Sequence, residues 1–440
     1  MRSTQLVQRA ASLLFMFTFI FGPSASIFPK SQADEVERPD QVLEWNQVFI
    51  DTLIATNTAN AASQRLGAIV QIAIFDAYNG IERRYTPFFY AAEAPRGASR
   101  RAAVIAAAHT ALIRLFPSRT TQLDEKYSES LDALTDGEDS GGMSAARGIE
   151  WGNEVANAVL AWRATDGFSS SLPSFFGGTE IGQWRSTLTS TGALCNNGNG
   201  MSAQTLGVTQ PFAVASREQF WPGPPRGLMS GTYVDDFNAV KALGRNTASV
   251  RTVDQTWLAP FWEGNASTHW NQAANQIARA NHSSMSDNSR LFAVLNIAMA
   301  DAAFTIWSAK KFYSSDPSFV TWRAATAIPE ADLDGNPDTV GDVDWKPLIS
   351  TPCHSEYPAG HPAQNGAAAA ILLANFDDGQ TFTLTTGANS RTYHSISQAR
   401  SDGNNARVWG GMHYPSTVEV SDGVGEAVAD HVNTNTMLYE

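Results

Sequence analysis

The chain is poor in charge, in cysteine and in alternating strand-like patterns. Only 17% of its 440 residues are charged, and 43 Asp and Glu outweigh 30 Lys and Arg, leaving a formal net charge of −13. That balance excludes nucleic-acid binding by bulk electrostatics, so any bound anion must be met by a local group of basic side chains. Two cysteines, Cys195 and Cys353, are too few for a disulfide framework and leave a single bridge undecided. No HExxH helix, Walker A loop or dinucleotide fingerprint occurs. The one long apolar run, AASLLFMFTFIFG (10–22), follows Arg2 and Arg9 and precedes Ser24-Ala25-Ser26. It reads as a signal peptide over 1–26, with cleavage as late as Ala33 also compatible, and is too short for a confident membrane span. The expectation is a secreted or periplasmic chain with no stable membrane span once processed.

What is present reads as helix. Hydrophobic residues make up 43% of the chain, too much for disorder, and the length is ample for a core. AASQRLGAIVQIAIFDAYNG (61–80) places Leu66, Ile69, Val70, Ala73 and Ile74 at helical spacing, and RAAVIAAAHTALIRLF (101–116) stops before Pro117. The stretches 144–164, 270–282, 287–311, 366–376 and 423–437 repeat the pattern, and Pro317 should end the helix before it around Ser314–Asp316. FTLTT (382–386) is the candidate strand or hairpin arm. The predicted fold class is all-α: two packed helix bundles joined by long irregular loops, an N-terminal helical part over 40–260 and a C-terminal one over 261–440. The acidic loop 329–345 has Gly335 and Val343 where a calcium loop needs other residues, and reads as a solvated surface loop.

Three clusters concentrate basic and proton-exchanging side chains. Lys310, Lys311 and Arg323 lie near a helix end, where cations are also favourable for the helix dipole alone. In EYPAGHPAQNGAAAAILL (356–373), Pro362 suits a first helical turn. The N–H groups of Gly360 and His361 would then face outward from a helix start that favours an anion, and a plain capping turn reads equally well. In ARVWGGMHYP (406–415), Gly410-Gly411 and Pro415 suggest a bend that brings Arg407 and His413 together, or a surface turn around Trp409. Taken together, the clusters offer Lys, two Arg, a helix N-terminus and two His, enough to hold and protonate a tetrahedral oxyanion. His354 either lines the same pocket or faces solvent, and Cys353 beside it would be reactive if free and exposed. His109 and His269 read as histidines packed within helices, and a zinc site from His354 and His361 lacks further ligands.

On these residues the chain resembles the vanadium-dependent haloperoxidases and their relatives, the type 2 phosphatidic acid phosphatases. That superfamily carries the motifs Lys-x6-Arg-Pro, Pro-Ser-Gly-His and Ser-Arg-x5-His. The matching residues are Lys310 with Arg323, Pro358-Ala359-Gly360-His361, and Arg407 with His413. The stretches 42–81, 219–244, 261–271 and 288–307 are similar to the bacterial haloperoxidase-like proteins. The resemblance implies a haloperoxidase-like helical fold and a bound vanadate, with phosphate able to occupy the same site. It implies that Lys310, Arg323, Arg407 and the Gly360 N–H hold the equatorial oxygens. His413 would be the axial ligand to the metal, or the nucleophile in a phosphatase, and His361 the general acid or base. The partners implied are hydrogen peroxide, a halide and a small organic substrate; a homodimer stays open.

Three departures stand out. Ala359 and Ala406 replace motif serines, Ala324 replaces the motif proline, and thirteen positions separate Lys310 from Arg323, an insertion around Ser314–Phe319. Lys310 is the expected ligand, with Lys311 in reserve. The expected function is a haloperoxidase oxidising halide with hydrogen peroxide to hypohalous acid. The alternatives are an acid phosphatase acting through a phosphohistidine, and a non-catalytic oxyanion-binding relative.

Overall fold

The structure, a computed structural model, describes residues 40–134, 142–188 and 192–440; the expected signal peptide lies outside them. The N-terminal helices are α1 (Gln41–Ala55), α2 (Asn60–Glu82), α3 (Arg100–Leu115), α4 (Thr120–Asp132) and α5 (Gly142–Arg163). After an irregular stretch come α6 (Gly231–Leu243), α7 (Val253–Phe261), α8 (Ala266–Ala280) and α9 (Met285–Ser315). The C-terminal part holds the short α10 (Ala324–Ala327), then α11 (Gly360–Asn375), a hairpin of β1 (Phe382–Thr386) and β2 (Asn389–Tyr393), α12 (Ile396–Trp409) and α13 (Pro415–Asn435). The expected FTLTT strand is β1, paired antiparallel with Phe382 opposite Tyr393. The molecule is therefore mostly helical, as the periodicity predicts.

The axis of the fold is α9. Its N-terminus is capped by Ser284, whose hydroxyl accepts from the Asp287 N–H, and it stops at Ser315, just ahead of Pro317. It is long and apolar enough to cross a membrane, yet its apolar window is wholly buried in protein, which marks a core helix. It packs against α2, α11 and α13. One compact unit runs from Asp40 to Glu440, and its largest apolar cluster draws on helices from both sides of residue 260.

Helix α11 begins six residues earlier than the alanine run suggests, because Pro362 fits its first turn. It lies very close to α13. A Cβ on Gly425 would come within 1.9 Å of the Ala363 carbonyl oxygen, and one on Gly366 within 2.3 Å of the Asp422 carbonyl oxygen. Glycine is what lets the two backbones approach. Elsewhere, buried carboxylates pin loops: Asp301 accepts the N–H groups of Phe212, Ala213 and Val214 at 2.7, 2.7 and 3.0 Å.

Cys195 and Cys353 are joined in a disulfide. The bridge settles the question the sequence left open and corrects the expectation of a reactive thiol at Cys353. It ties the irregular 195–200 segment to the loop that leads into α11.

Candidate oxyanion site

Lys310 projects from the last turns of α9 into the interior and is fully buried. Its Nζ donates to the Ser355 carbonyl at 2.7 Å and to the Glu356 carbonyl at 3.3 Å. Lys311 points the other way. It is exposed, with its Nζ 3.4 Å from the centroid of the Phe175 ring. One step along a helix turns a side chain by about 100°, and this decides between the two lysines in favour of Lys310.

Arg323 is the residue before α10 and is also fully buried. Its Nε donates to the His354 carbonyl at 2.9 Å, and its Nη1 donates to the Met412 carbonyl. Nη2 lies 2.9 Å from His354 Nδ1, and Nη1 lies 3.1 Å from His413 Nε2. The inserted residues after α9 thus return the chain to the same interior point. His354 is drawn in with them, its ring 5.4 Å from that of Trp307. Of the two readings open for His354, the structure supports the pocket-lining one.

Gly360 opens α11 beneath Trp307. A Cβ there would meet the Trp307 ring at 2.8 Å, so a side chain would displace the indole. The N–H of Ala359 donates to Ser421 Oγ on α13 at 2.7 Å, which leaves the anion-facing role to the first N–H groups of α11 itself. His361, in that first turn, has Nε2 3.3 Å from the Gly264 carbonyl. A carbonyl only accepts, so Nε2 carries the proton and Nδ1 is the basic nitrogen.

Arg407 sits in the last turn of α12, a helix the sequence reading did not single out. It is 2% exposed, yet its Nε and Nη2 have no hydrogen-bond partner. Its charge disfavours protonation of His361, His413 and Arg323. After α12 the chain bends at Gly410 and Gly411, the latter at φ +77°, and delivers His413 to the same centre. The expected bend is therefore present, with Arg407 held on helix and only His413 on the turn.

The electrostatics are one-sided. Burial first, then Arg323, holds Lys310 well below the usual lysine range. Burial also brings Arg323 and Arg407 down to about 10. Burial and then Arg407 push His361 down to about 3, while burial with Arg323 and Lys310 depresses His413. The acidic group set among these cations is Glu356, 2% exposed and pushed up by burial to about 7. Buried charge is costly unless it is paired. Glu356 serves Arg323 and Lys310, whereas the acidic group that acts on Arg407 is the exposed Glu263, and two Arg407 N–H groups remain unpartnered.

Glu356 is the residue the sequence reading missed. It accepts from the Tyr414 N–H at 3.0 Å and from Thr417 Oγ1 at 3.0 Å, and its Oε1 lies 3.1 Å from His413 Nδ1. His109 and His269 behave as packed histidines: His109 bonds Asp124 at 2.7 Å, and His269 stacks on Phe261.

Residues 290–439, which include every cation and histidine of the cluster, match a family described as the VCPO second helical-bundle domain. The likeness to solved structures is one of fold, and the match to the family model covers the C-terminal third of the chain. Among solved structures, the first bacterial vanadium-dependent iodoperoxidase superposes with a TM-score of 0.76 at 21% identity, over 91% of this chain and 98% of that one. Apo-type and holo-type bacterial vanadium-dependent chloroperoxidases give TM-scores of 0.66 and 0.63 at 15% and 16% identity. They cover 85% and 84% of this chain, and 93% and 90% of theirs. No curated protein matches the chain by sequence. Within this fold, the residues present fit a vanadate or phosphate group: the unpartnered Arg407 N–H groups, the spare Lys310 proton and the start of α11 are donors without acceptors.

Proposed function

We propose that the chain is a vanadate-dependent haloperoxidase-like enzyme that uses hydrogen peroxide to oxidise a halide to hypohalous acid, exported by its N-terminal segment. The observation that carries this reading is the buried Arg407, whose Nε and Nη2 lack any protein acceptor in the midst of two further buried cations.

Lys310, Arg323 and Arg407, with the first N–H groups of α11 at Gly360, would hold the oxygens of the bound group. His413 Nε2 would be its protein ligand. Vanadate, when bound, supplies the electrophilic centre at which peroxide is made reactive towards halide. The protein's own contribution is position and charge. The three cations are already fixed before anything binds, so they stabilise developing negative charge without reorganising. Burial keeps bulk water from screening them. His361, neutral at working pH because burial and Arg407 oppose its protonation, can take a proton from incoming peroxide at Nδ1 and return it to the departing oxygen. Overall, peroxide is reduced to water, the halide loses two electrons and one proton is consumed.

The test is direct. Purified protein is incubated with orthovanadate, hydrogen peroxide and iodide or bromide, and halogenation of an indicator dye is recorded. Vanadate-dependent halogenation is expected. Hydrolysis of a phosphate ester without halogenation would replace this reading with the phosphatase, and vanadate binding without either activity would replace it with an oxyanion-binding protein.

A further inference from the structure

We propose that Glu356 is a positioning residue that fixes the tautomer and orientation of His413, so that Nε2 is the nitrogen presented to the bound group. The inference rests on the haloperoxidase reading for the identity of that group, and on hydrogen-bond logic for everything else.

A guanidinium has no acceptor. Arg323 Nη1 lies 3.1 Å from His413 Nε2 and 3.5 Å from Nδ1, so the nearer Nε2 is the nitrogen that offers it a lone pair. The proton of the neutral imidazole then resides on Nδ1. Nδ1 lies 3.1 Å from Glu356 Oε1, and a carboxylate oxygen is the partner such a proton needs. The carboxylate is itself held on every side. The Tyr414 N–H donates to Oε1 and Thr417 Oγ1 donates to Oε2. The Glu356 backbone is fixed as well: its N–H donates to the Thr321 carbonyl at 2.9 Å, and its carbonyl accepts from Lys310 Nζ at 3.3 Å. One residue therefore ties the loop before α11 to the lysine of α9, to the histidine of the 410–414 turn and to the first turn of α13. Carboxylate-oriented histidines are a common second layer around metal ligands, and loss of such a partner costs 10- to 100-fold in affinity.

A rival role is easily stated. Glu356 could serve only as a counter-charge for the buried cations. The two roles predict opposite signs in Glu356→Gln. Removing a negative charge from beside an anion site should tighten every oxyanion. Removing an orienting carboxylate should weaken the one oxyanion that must bond to His413.

The experiment compares wild type with Glu356→Gln, which keeps the side-chain shape, and with Thr417→Val, which loosens the carboxylate without altering charge. Orthovanadate and sulfate affinities are measured by titration calorimetry, thermal unfolding confirms folding, and nitrogen NMR of histidine-labelled protein reads the His413 tautomer, assigned with His413→Gln. The proposal expects an Nδ1–H tautomer in wild type. It expects vanadate affinity to fall by about 10- to 100-fold in Glu356→Gln while sulfate affinity holds or rises, with a smaller vanadate loss in Thr417→Val. An Nε2–H tautomer in wild type overturns it, and so does vanadate affinity that rises in parallel with sulfate. Wild type that binds sulfate but not vanadate sinks the haloperoxidase reading instead, and the tautomer still decides whether Glu356 positions His413.

Discussion

At His361, burial and the Arg407 charge both oppose the imidazolium, and the group titrates near 3 in place of about 6.5. Between those values the unfolded chain holds a proton that the folded chain does not. The contribution of His361 to stability is thus complete above about pH 6.5 and is lost as the pH falls towards 3. His354 and His413 shift in the same direction. Glu356 opposes them: raised from 4.5 to about 7, its contribution declines as the pH rises through that interval. Within the site, three histidines stand against this one carboxylate, while buried aspartates elsewhere, Asp76 and Asp301 among them, act in the sense of Glu356. Without bound oxyanion, the stability that wild type loses between pH 7 and pH 4 should therefore exceed the loss in His361→Gln; melting curves of both proteins across that range check it. Much of this chemistry was legible in the sequence, because Lys310, Arg323, Gly360, His361, Arg407 and His413 are of residue types that a buried oxyanion requires. Glu356 was not, since its value depends on a histidine 57 positions away that only the fold brings near. The choice of Lys310 over Lys311 likewise needed the rotation of α9.

At the scale of elements, helix period and proline were reliable guides. The end of α9 at Ser315 follows from Pro317, and α2, α3 and α5 lie where their apolar spacing puts them. Helix α12, ISQARSDGNNARVW, escaped notice because polar side chains cover most of it and its short apolar face is visible only once Trp262 and α11 pack on it. The contact of α11 with α13 was hidden for a related reason: a glycine in sequence does not say which backbone it lets in. That contact supports the site directly, since α13 supplies Ser421 to the Ala359 N–H and Thr417 to Glu356. Gly425→Ala would set a methyl group against the Ala363 carbonyl and should cost about 1–3 kcal/mol, as overpacking does. Denaturant unfolding would register that loss. A parallel drop in vanadate affinity is expected, because the two helices can separate only by moving the start of α11.

For the whole molecule, a net charge of −13 surrounds a centre whose buried charge is mainly positive. The overall balance excluded nucleic-acid binding by bulk electrostatics, and the fold gathers cations from α9, from the residue before α10 and from α12 into one buried place. Composition alone reveals the first half of that arrangement and not the second. The disulfide is the other feature on this scale. Cys195 and Cys353 are 158 positions apart, and on a loop-closure argument the bridge stabilises the fold by roughly 5 kcal/mol. Cys195→Ser, or reduction under native conditions, should lower the melting temperature and weaken oxyanion binding together, because Cys353 precedes the His354 that Arg323 grips.

The bridge also closes a covalent ring through residues 195–353. Lys310 and Arg323 lie inside that ring, whereas His361, Arg407 and His413 lie on the chain beyond it. A protease that cuts once at the exposed Val343-Asp344 would therefore leave two pieces still joined at sulfur. Such a nicked protein would run as one band without reductant and as two with it, and would keep both halves of its cation cage in a single molecule.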